Sequence, residues 1–368
     1  MASMRRFQAR RWHVGVLASA ILVGACSSAP SASSSAAPSV TAPSASAGSS
    51  PAGTPTAAPP SYESVCAAGL AAGGLTYWHN HSEDIQRVFD AFTEATGISV
   101  EHLQLTPDDM AQRVLLEHGA GRQPTPDVIA GGLDIFLAVI DAGLADEDFD
   151  YSAFGVPEDR VSETGNMART HRIVFGLGYN PETTSADELP DTWEELIDER
   201  WKGRVVVDPR GRPFDQMALE WGKDAALDYV RRFKDVVEPL VIEGGTAGLL
   251  AVASGEALLT TGGRSAETLE QQADGVPVDI KYLDFMATND SYRLLLKGSK
   301  NLDAARCYTL WFALEGGQEL YDEIEFKSNE TVPSQAPSNA TLVTIDSPDE
   351  AALVKAVGKD LGAIWTGE

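Results

Sequence analysis

Thr-Trp-Glu-Glu-Leu-Ile-Asp-Glu-Arg-Trp-Lys-Gly-Arg-Val-Val-Val-Asp-Pro, residues 192 to 209, holds both halves of an α/β fold in one short stretch. Thr192 with Glu195 has the spacing of a capping box, which marks a helix start. Val205-Val206-Val207 is a β-branched run suited to a buried strand. Outward in both directions the same alternation continues. Gly74-Leu75-Thr76-Tyr77-Trp78 reads as a first strand, followed by a helix with Ile85, Val88, Phe89 and Phe92 on one face. Asn80 and Glu83 stand at capping-box spacing at its start, and Gly97 ends it. Thr106-Pro107 opens a second helix that stops near Gly119, Asp127-Val128-Ile129-Ala130 is a short buried strand, and 133–144 is a helix. Helices over 246–255, 304–321 and 347–365 and strands over 257–261 and 278–283 complete the pattern, the last helix capped by Ser347-Pro348 with Glu350. With no internal repeat, this predicts α/β architecture with largely parallel sheets.

Val23-Gly24-Ala25-Cys26-Ser27 closes an apolar run, 14–23, that follows Arg5, Arg6, Arg10 and Arg11. The run is too short to span a bilayer and has the form of an export leader cut before a cysteine. The expectation is a lipoprotein signal peptide over 1–25 and lipidation at Cys26. From Ser27 to Ser61 the chain is Ser, Ala, Pro, Thr and Gly apart from Val40, and carries no charge. Such a segment builds no core, and 26–61 is read as a disordered tether reaching ~30 Å. The protein is therefore placed on the outer face of the cytoplasmic membrane, anchored by lipid.

Losing the leader removes four arginines and no acid, which takes the formal charge from −26 to −30. That surface repels nucleic acid and anionic head groups. Two cysteines remain, Cys66 and Cys307, and an oxidising location permits their pairing. Cys307 shares helical spacing with Leu310, Trp311 and Leu314. A Cys66–Cys307 disulfide is expected, two buried free thiols being the alternative.

Five times a strand or its loop runs into a helix start through small or polar residues: His79-Asn80-His81-Ser82, Gly131-Gly132, Asp208-Pro209-Arg210-Gly211-Arg212, Glu243-Gly244-Gly245-Thr246 and Thr260-Thr261-Gly262-Gly263-Arg264-Ser265. In open α/β sheets ligands bind beyond the carboxyl ends of the strands, where glycine admits backbone amides and helix N-termini favour negative charge.

The 192–209 stretch closely resembles extracellular solute-binding proteins of ABC transporters, the branch that includes ferric-ion-binding proteins. Further matches are Phe89-Asp90-Ala91-Phe92 with Thr96-Gly97-Ile98-Ser99-Val100, Thr125-Pro126-Asp127-Val128, Gly176-Leu177-Gly178-Tyr179-Asn180, Ala251-Val252-Ala253-Ser254-Gly255-Glu256-Ala257 and Glu315-Gly316-Gly317-Gln318-Glu319-Leu320. The resemblance implies a two-lobed periplasmic binding protein-like II fold, with an interlobe ligand cleft and hinge strands. Lobe 1 would be 62–172 plus 283–368, and lobe 2 would be 173–282. It further implies a monomer that delivers its solute to a membrane permease and its ATPase, with no cofactor.

The chain departs from the ferric-binding pattern at two places. Those relatives carry two adjacent tyrosines where Gly262-Gly263-Arg264-Ser265 stands, and a glutamate near Gly131-Gly132. His81 matches the family histidine, but a lone imidazole is a poor site for a hard ferric ion; His79 and His81 fit exposed loop positions equally well. In exchange the junctions carry Arg210, Arg212 and Arg264, whose planar forks suit carboxylate, phosphate or phosphonate, although pairing with surface Asp and Glu is open to each. The expected ligand is a small organic anion held by these arginines. Thr246, Thr261 and Ser265 and the amides at Gly131, Gly132, Gly244 and Gly245 would assist, with His79, His81, Tyr77, Trp78 or Tyr292 against its remaining face. Ferric iron or an iron chelate, with His81 as ligand, is the rival. A lipid-anchored hydrolase is the more distant one: the chain has no G-x-S-x-G, no H-E-x-x-H and no phosphate-loop motif, so no enzyme is expected.

Overall fold

The structure is a computed structural model, and it describes residues 61–162, 165, 167–329 and 332–367. The leader, Cys26 and the tether up to residue 60 lie outside the described residues. Ser61, expected to end the tether, instead caps the first helix: its hydroxyl accepts the Ser64 amide.

In chain order the elements are α1 (Tyr62–Ala72), β1 (Leu75–His79), α2 (Gln86–Thr96), β2 (Val100–Gln104), α3 (Pro107–Gly119), β3 (Val128–Gly131), α4 (Leu133–Asp141), β4 (Met167–Tyr179), β5 (Val205–Val207), α5 (Met217–Trp221) and α6 (Lys223–Val237). There follow β6 (Leu240–Val241), α7 (Gly245–Ala253), β7 (Leu259–Arg264), α8 (Ser265–Ala273), β8 (Asp279–Lys281), β9 (Phe285–Leu295), α9 (Leu302–Leu314), α10 (Gly317–Glu325), β10 (Thr341–Val343) and α11 (Pro348–Thr366).

The sheet runs β2-β1-β3-β9-β4-β7-β5-β6, with β10 beside β9 and β8 beside β4. β1 pairs with β2 and β3 in parallel, as β5 does with β6 and β7. The expectation of largely parallel sheets therefore holds at the two ends and where β10 joins β9. The middle is antiparallel: β3 with β9, β9 with β4, and β4 with β7 and β8. β4 pairs with β9 from Met167 to Val174 and turns to β7 from Phe175. The two long strands thus belong to both ends of the sheet and cross from one apolar cluster to the other.

Two large clusters flank the crossing. One gathers Leu75, Tyr77, Val88, Phe89, Phe92, Tyr308 and Trp311 from β1, α2 and α9. A disulfide ties the first helix into it, Cys66 of α1 to Cys307 of α9 with an S–S distance of 2.06 Å. The other gathers Phe175, Trp193, Val205, Phe214, Tyr229 and Phe233. Each such side chain contributes roughly 1.5–3 kcal/mol when fully buried, so each cluster is core enough for a lobe of its own.

Three local expectations are corrected. Asn80 and Glu83 form no capping box; α2 follows a short 3-10 turn whose N-cap, Ser82, makes no side-chain cap bond. The helix expected over 304–321 is two, broken at Gly316, which takes φ +89° and so stops α9 before α10. α11 does not sit with lobe 1 alone. Val357, Leu361 and Trp365 join the Phe214–Phe233 cluster, while Ala351 and Val354 pack with Leu137 of α4 and Leu219 of α5. The apolar stripe of α11 is wide enough to serve both halves of the molecule.

Candidate functional site

A cavity of about 760 Å³ opens where β4 and β9 cross. Its floor is strand: His171, Ile173 and Phe175 recur at period two on one face of β4, beside Asn289, Asp290 and Ser291 of β9. One wall brings Asn80, Pro107, Gly131, Gly132 and Asp134, and the opposite wall Asp208, Arg210, Arg212, Gly245, Gly262, Arg264 and Glu267. Lys327 and, from α11, Lys355 and Gly358 complete the rim.

Of the residues expected from sequence, Gly131, Gly132, Arg210, Arg212, Gly245 and Arg264 line this cavity. Gly244 stands just behind, as N-cap of α7, its amide donating to Asp208 Oδ2 at 3.2 Å. The others are corrected by burial or direction. Trp78 and Tyr292 are packed in an apolar cluster with Met110, Val114 and Phe136. Tyr77 is core. Thr246 is exposed and away from the lining. Thr261 turns its hydroxyl to the Val206 carbonyl, and Ser265 Oγ accepts the Val174 amide, so both serve the fold. His79 ends β1 and His81 stands in the loop after it, but both are buried rather than exposed, and neither lines the cavity. His171, Lys327, Asp290 and Ser291 were not singled out. The period-two spacing of 171, 173 and 175 was the available signal for the first.

Every arginine of the wall has a carboxylate. Arg210 forms a fork with Asp208, Nε and Nη2 at 3.0 and 2.5 Å. Arg264 Nη1 lies 2.5 Å from Glu267 Oε1, with Arg264 Nε and Glu267 Oε2 left without partners. Arg212 reaches across the cleft, 3.6 Å from Asp134, donates from Nη1 to the Asn289 side-chain Oδ1 at 3.0 Å, and lies 3.7 Å from Asp215. Burial pushes the Asp215 carboxyl up to about 6 despite that arginine. The lining therefore carries five cations, Arg210, Arg212, Arg264, Lys327 and Lys355, against six carboxylates. In a chain of net charge −26 this lining is close to balanced.

Glycines shape the wall. A Cβ at Gly245 would stand 2.9 Å from Arg264 Cδ, so the bare backbone lets the arginine stem lie across the start of α7. Gly263 is structural: a Cβ there would meet the Gly178 amide nitrogen of β4 at 2.5 Å. Three helices begin at the cleft, α4 at Gly132, α7 at Gly244 and α8 at Arg264, and none has a side-chain cap bond. Their first amides are thus not taken by a side-chain cap, and helix starts of this kind favour negative charge.

Below the floor runs a chain of polar rings, buried except for His102 at its outer end. His102 Nδ1 meets His79 Nε2 at 3.0 Å, and His79 Nδ1 accepts the His81 amide. His81 Nε2 meets the Tyr77 hydroxyl at 3.0 Å and its Nδ1 the Tyr321 hydroxyl at 3.1 Å; Tyr321 in turn meets His171 Nδ1 at 2.9 Å. Burial, with His102 beside it, lowers His79 to about 4. Burial and then Lys327 hold His81 and His171 well below the ordinary imidazole range, so both are neutral near pH 7.

A body of two apolar halves joined by crossing strands, with a charged cleft at the crossing, has the form of a solute-binding protein. Residues 87–323 match the family described as bacterial extracellular solute-binding protein, and the chain belongs to that family. Its members bind rather than transform, so it is not an enzyme. Among the described residues no helix is long and apolar enough to cross a membrane. An uncharacterized protein of Haemophilus influenzae is 29% identical over 182 residues, 45% of this chain and 51% of that protein, so the chain spans about half the length of this relative. The major ferric iron-binding protein of Neisseria meningitidis is 25% identical over 276 residues, 69% of this chain and 80% of that protein. Among solved structures, iron-bound HitA from Pseudomonas aeruginosa has a TM-score of 0.64 at 18% identity, covering 79% of this chain and 99% of its own. AfuA from Actinobacillus pleuropneumoniae, with exogenous fructose-6-phosphate bound, has a TM-score of 0.56 at 18% identity, covering 80% and 98%. These likenesses establish the two-lobed periplasmic binding protein fold.

Proposed function

We propose that this chain is the capture component of an ABC import system. It would take a small organic anion, a phosphonate, sugar phosphate or organic acid, into the cleft and hand it to a membrane permease and its ATPase. The lipid at Cys26 would keep it on the outer membrane face. The observation that carries the ligand class is the convergence of Arg210, Arg212 and Arg264 with three helix starts that lack side-chain caps. The carboxylate partners hold the guanidinium planes in place and leave donors over: Arg264 Nε has no partner and is buried. A guanidinium has five donors, so an anion can join an existing pair without breaking it.

Proteins of similar fold carry iron in one case and a sugar phosphate in another, so the residues must decide. Among the described residues no tyrosine lines the cavity, and both ring nitrogens of His81 are taken by tyrosine hydroxyls behind the floor. Among the described residues no cluster of three His, Cys, Asp or Glu is placed to hold a metal ion. A bare ferric ion would lack phenolate ligands here. The iron-named relatives favour one second reading, a ferric chelate whose own carboxylates face the arginines.

The test is thermal unfolding against phosphonates, sugar phosphates, organic acids, ferric citrate and ferric chloride, followed by calorimetry. A ligand at a hundred times its Kd stabilises the native state by ~2.7 kcal/mol. A charge-assisted hydrogen bond contributes roughly 1.5–3 kcal/mol, so Arg264→Ala should weaken the bound anion by about 10- to 100-fold. Stabilisation by ferric chloride alone, with every anion inert, would reverse the assignment.

A further inference from the structure

The ring chain beneath the floor has a direction, and the direction is set at Tyr77. Tyr77 is fully buried, and among the described residues its hydroxyl has one hydrogen-bond partner, a ring nitrogen of His81. The Arg293 guanidinium nearby, 1% exposed and 3.5 Å from the centre of the Phe312 ring, can only donate and so offers the Tyr77 proton no acceptor. The acceptor within reach is His81 Nε2, at 3.0 Å. A neutral His81 that accepts at Nε2 carries its proton on Nδ1, and donates it to the Tyr321 oxygen at 3.1 Å. Tyr321, with that lone pair used, donates its own proton to His171 Nδ1 at 2.9 Å. The reverse direction would leave the buried Tyr77 hydroxyl without an acceptor, which costs about 1–3 kcal/mol.

His171 is the end of the chain and the only member that lines the cleft. Its Nε2 has no protein partner among the described residues and is not sealed from solvent. We propose that His171 is a ligand-binding residue, held by the Tyr77–His81–Tyr321 relay as the Nε2–H tautomer so that it presents a fixed, uncharged donor to the bound solute. This rests on the reading of the cleft as a site for an oxygen-rich anion. It adds a recognition element on the floor, between the paired arginines of one wall and the helix start of the other. A donor fixed in advance has no tautomer equilibrium to give up on binding, and it attracts acceptors while adding no charge beside Asp290 of the floor.

The experiment has two arms. Long-range 1H–15N correlation on histidine-labelled, ligand-free protein, with His171 assigned by its loss in His171→Gln, should show Nε2 protonated and Nδ1 bare and hydrogen-bonded. An Nδ1–H tautomer or an even mixture would overturn the relay. In Tyr321→Phe, which keeps the ring in its core, the fold should persist and the His171 signal should move to a mixture. In the second arm inorganic phosphate is titrated by calorimetry. Tyr321→Phe and His171→Phe should each weaken it by about tenfold, while His171→Gln, whose amide can donate from a similar place, should retain most of the affinity. Unchanged affinity in His171→Phe, with Arg264→Ala impaired, would remove His171 from the site. A wild type that binds no phosphate counts against the anion reading and not against the relay, which the tautomer decides by itself.

Discussion

The two sides of the cleft solve the problem of polar groups near a core in opposite ways. Toward the disulfide-linked lobe, His79, His81, Tyr321 and His171 are buried without charge, each satisfied by the next ring. On the opposite wall Arg210, Arg212 and Arg264 keep full charge and each is matched by a carboxylate at the surface of the cavity. Neutral rings tolerate burial at the expense of fixed proton positions. Charged forks tolerate only partial burial, and keep donors for a third party. The first arrangement fixes the donors of the floor, and the second leaves donors of the wall to spare, a division suited to the proposed capture of an anion.

The comparison breaks most visibly where full charge has been carried inside. Arg172 makes a fork with Asp290, Nε at 2.8 Å and Nη2 at 2.5 Å, and Arg169 Nη1 lies 3.5 Å from the same carboxylate; the side chains are 2–5% exposed. Asp290→Asn leaves two guanidiniums on the hinge strands short of a counter-charge, and should lower stability by about 3–5 kcal/mol in urea unfolding. Next comes acid. His79 moves from 6.5 to about 4 on folding, so the unfolded chain binds the proton first. Its contribution is complete above about 6.5 and is lost as pH falls toward 4. The loss is on the order of 2–3 kcal/mol for this residue, and His79→Gln should flatten the stability–pH curve in that window. Asp215 has the opposite sign. Its folded value, about 6 against an ordinary 3.8, favours the folded state while the group is protonated, and that advantage disappears as pH rises through 6. Asp215→Asn should leave stability unchanged near pH 4 and raise it by about 2 kcal/mol at pH 8.

The sequence displayed the ends of the sheet better than its middle. Val205-Val206-Val207 and Asp127-Val128-Ile129-Ala130 are apolar runs, and parallel strands buried on both faces must be so. β4 was hidden because Met-Ala-Arg-Thr-His-Arg, residues 167–172, has the composition of a surface segment, yet all thirteen residues of the strand are buried. What makes this possible is Asp290, more than a hundred residues away, and local pattern cannot show a distant counter-charge. The cleft was legible where glycines and arginines crowd a junction, as at 208–212 and 244–245. It was illegible where function falls on a strand face, as at His171, or where an aromatic such as Trp78 fits core and cleft equally by composition. α11 was recognised by its cap, but a wide apolar stripe does not say that it will serve two clusters.

The smallest effect separates wall from floor most cleanly. Arg210 is 59% exposed at its side chain, and its partner Asp208 is 12% exposed. Burial works against the Asp208 carboxylate, but hydrogen bonds from Arg210 and from the Gly244 amide outweigh it and hold its pKa down. When Arg210 is cut to alanine, Asp208 still accepts the backbone amides of residue 210 at 3.0 Å and Gly244 at 3.2 Å, so no orphaned buried charge results. Exposed pairs contribute about 0–1 kcal/mol, and Arg210→Ala should change unfolding free energy by less than about 1 kcal/mol. Affinity for an anionic ligand should nevertheless fall, and the salt dependence of binding should become shallower because one cation has left the wall. The floor variant Tyr321→Phe should do the reverse, lowering affinity while the salt dependence stays as in the wild type. If both variants altered the salt dependence alike, the floor would be acting through charge, and the contrast between the two sides would be lost.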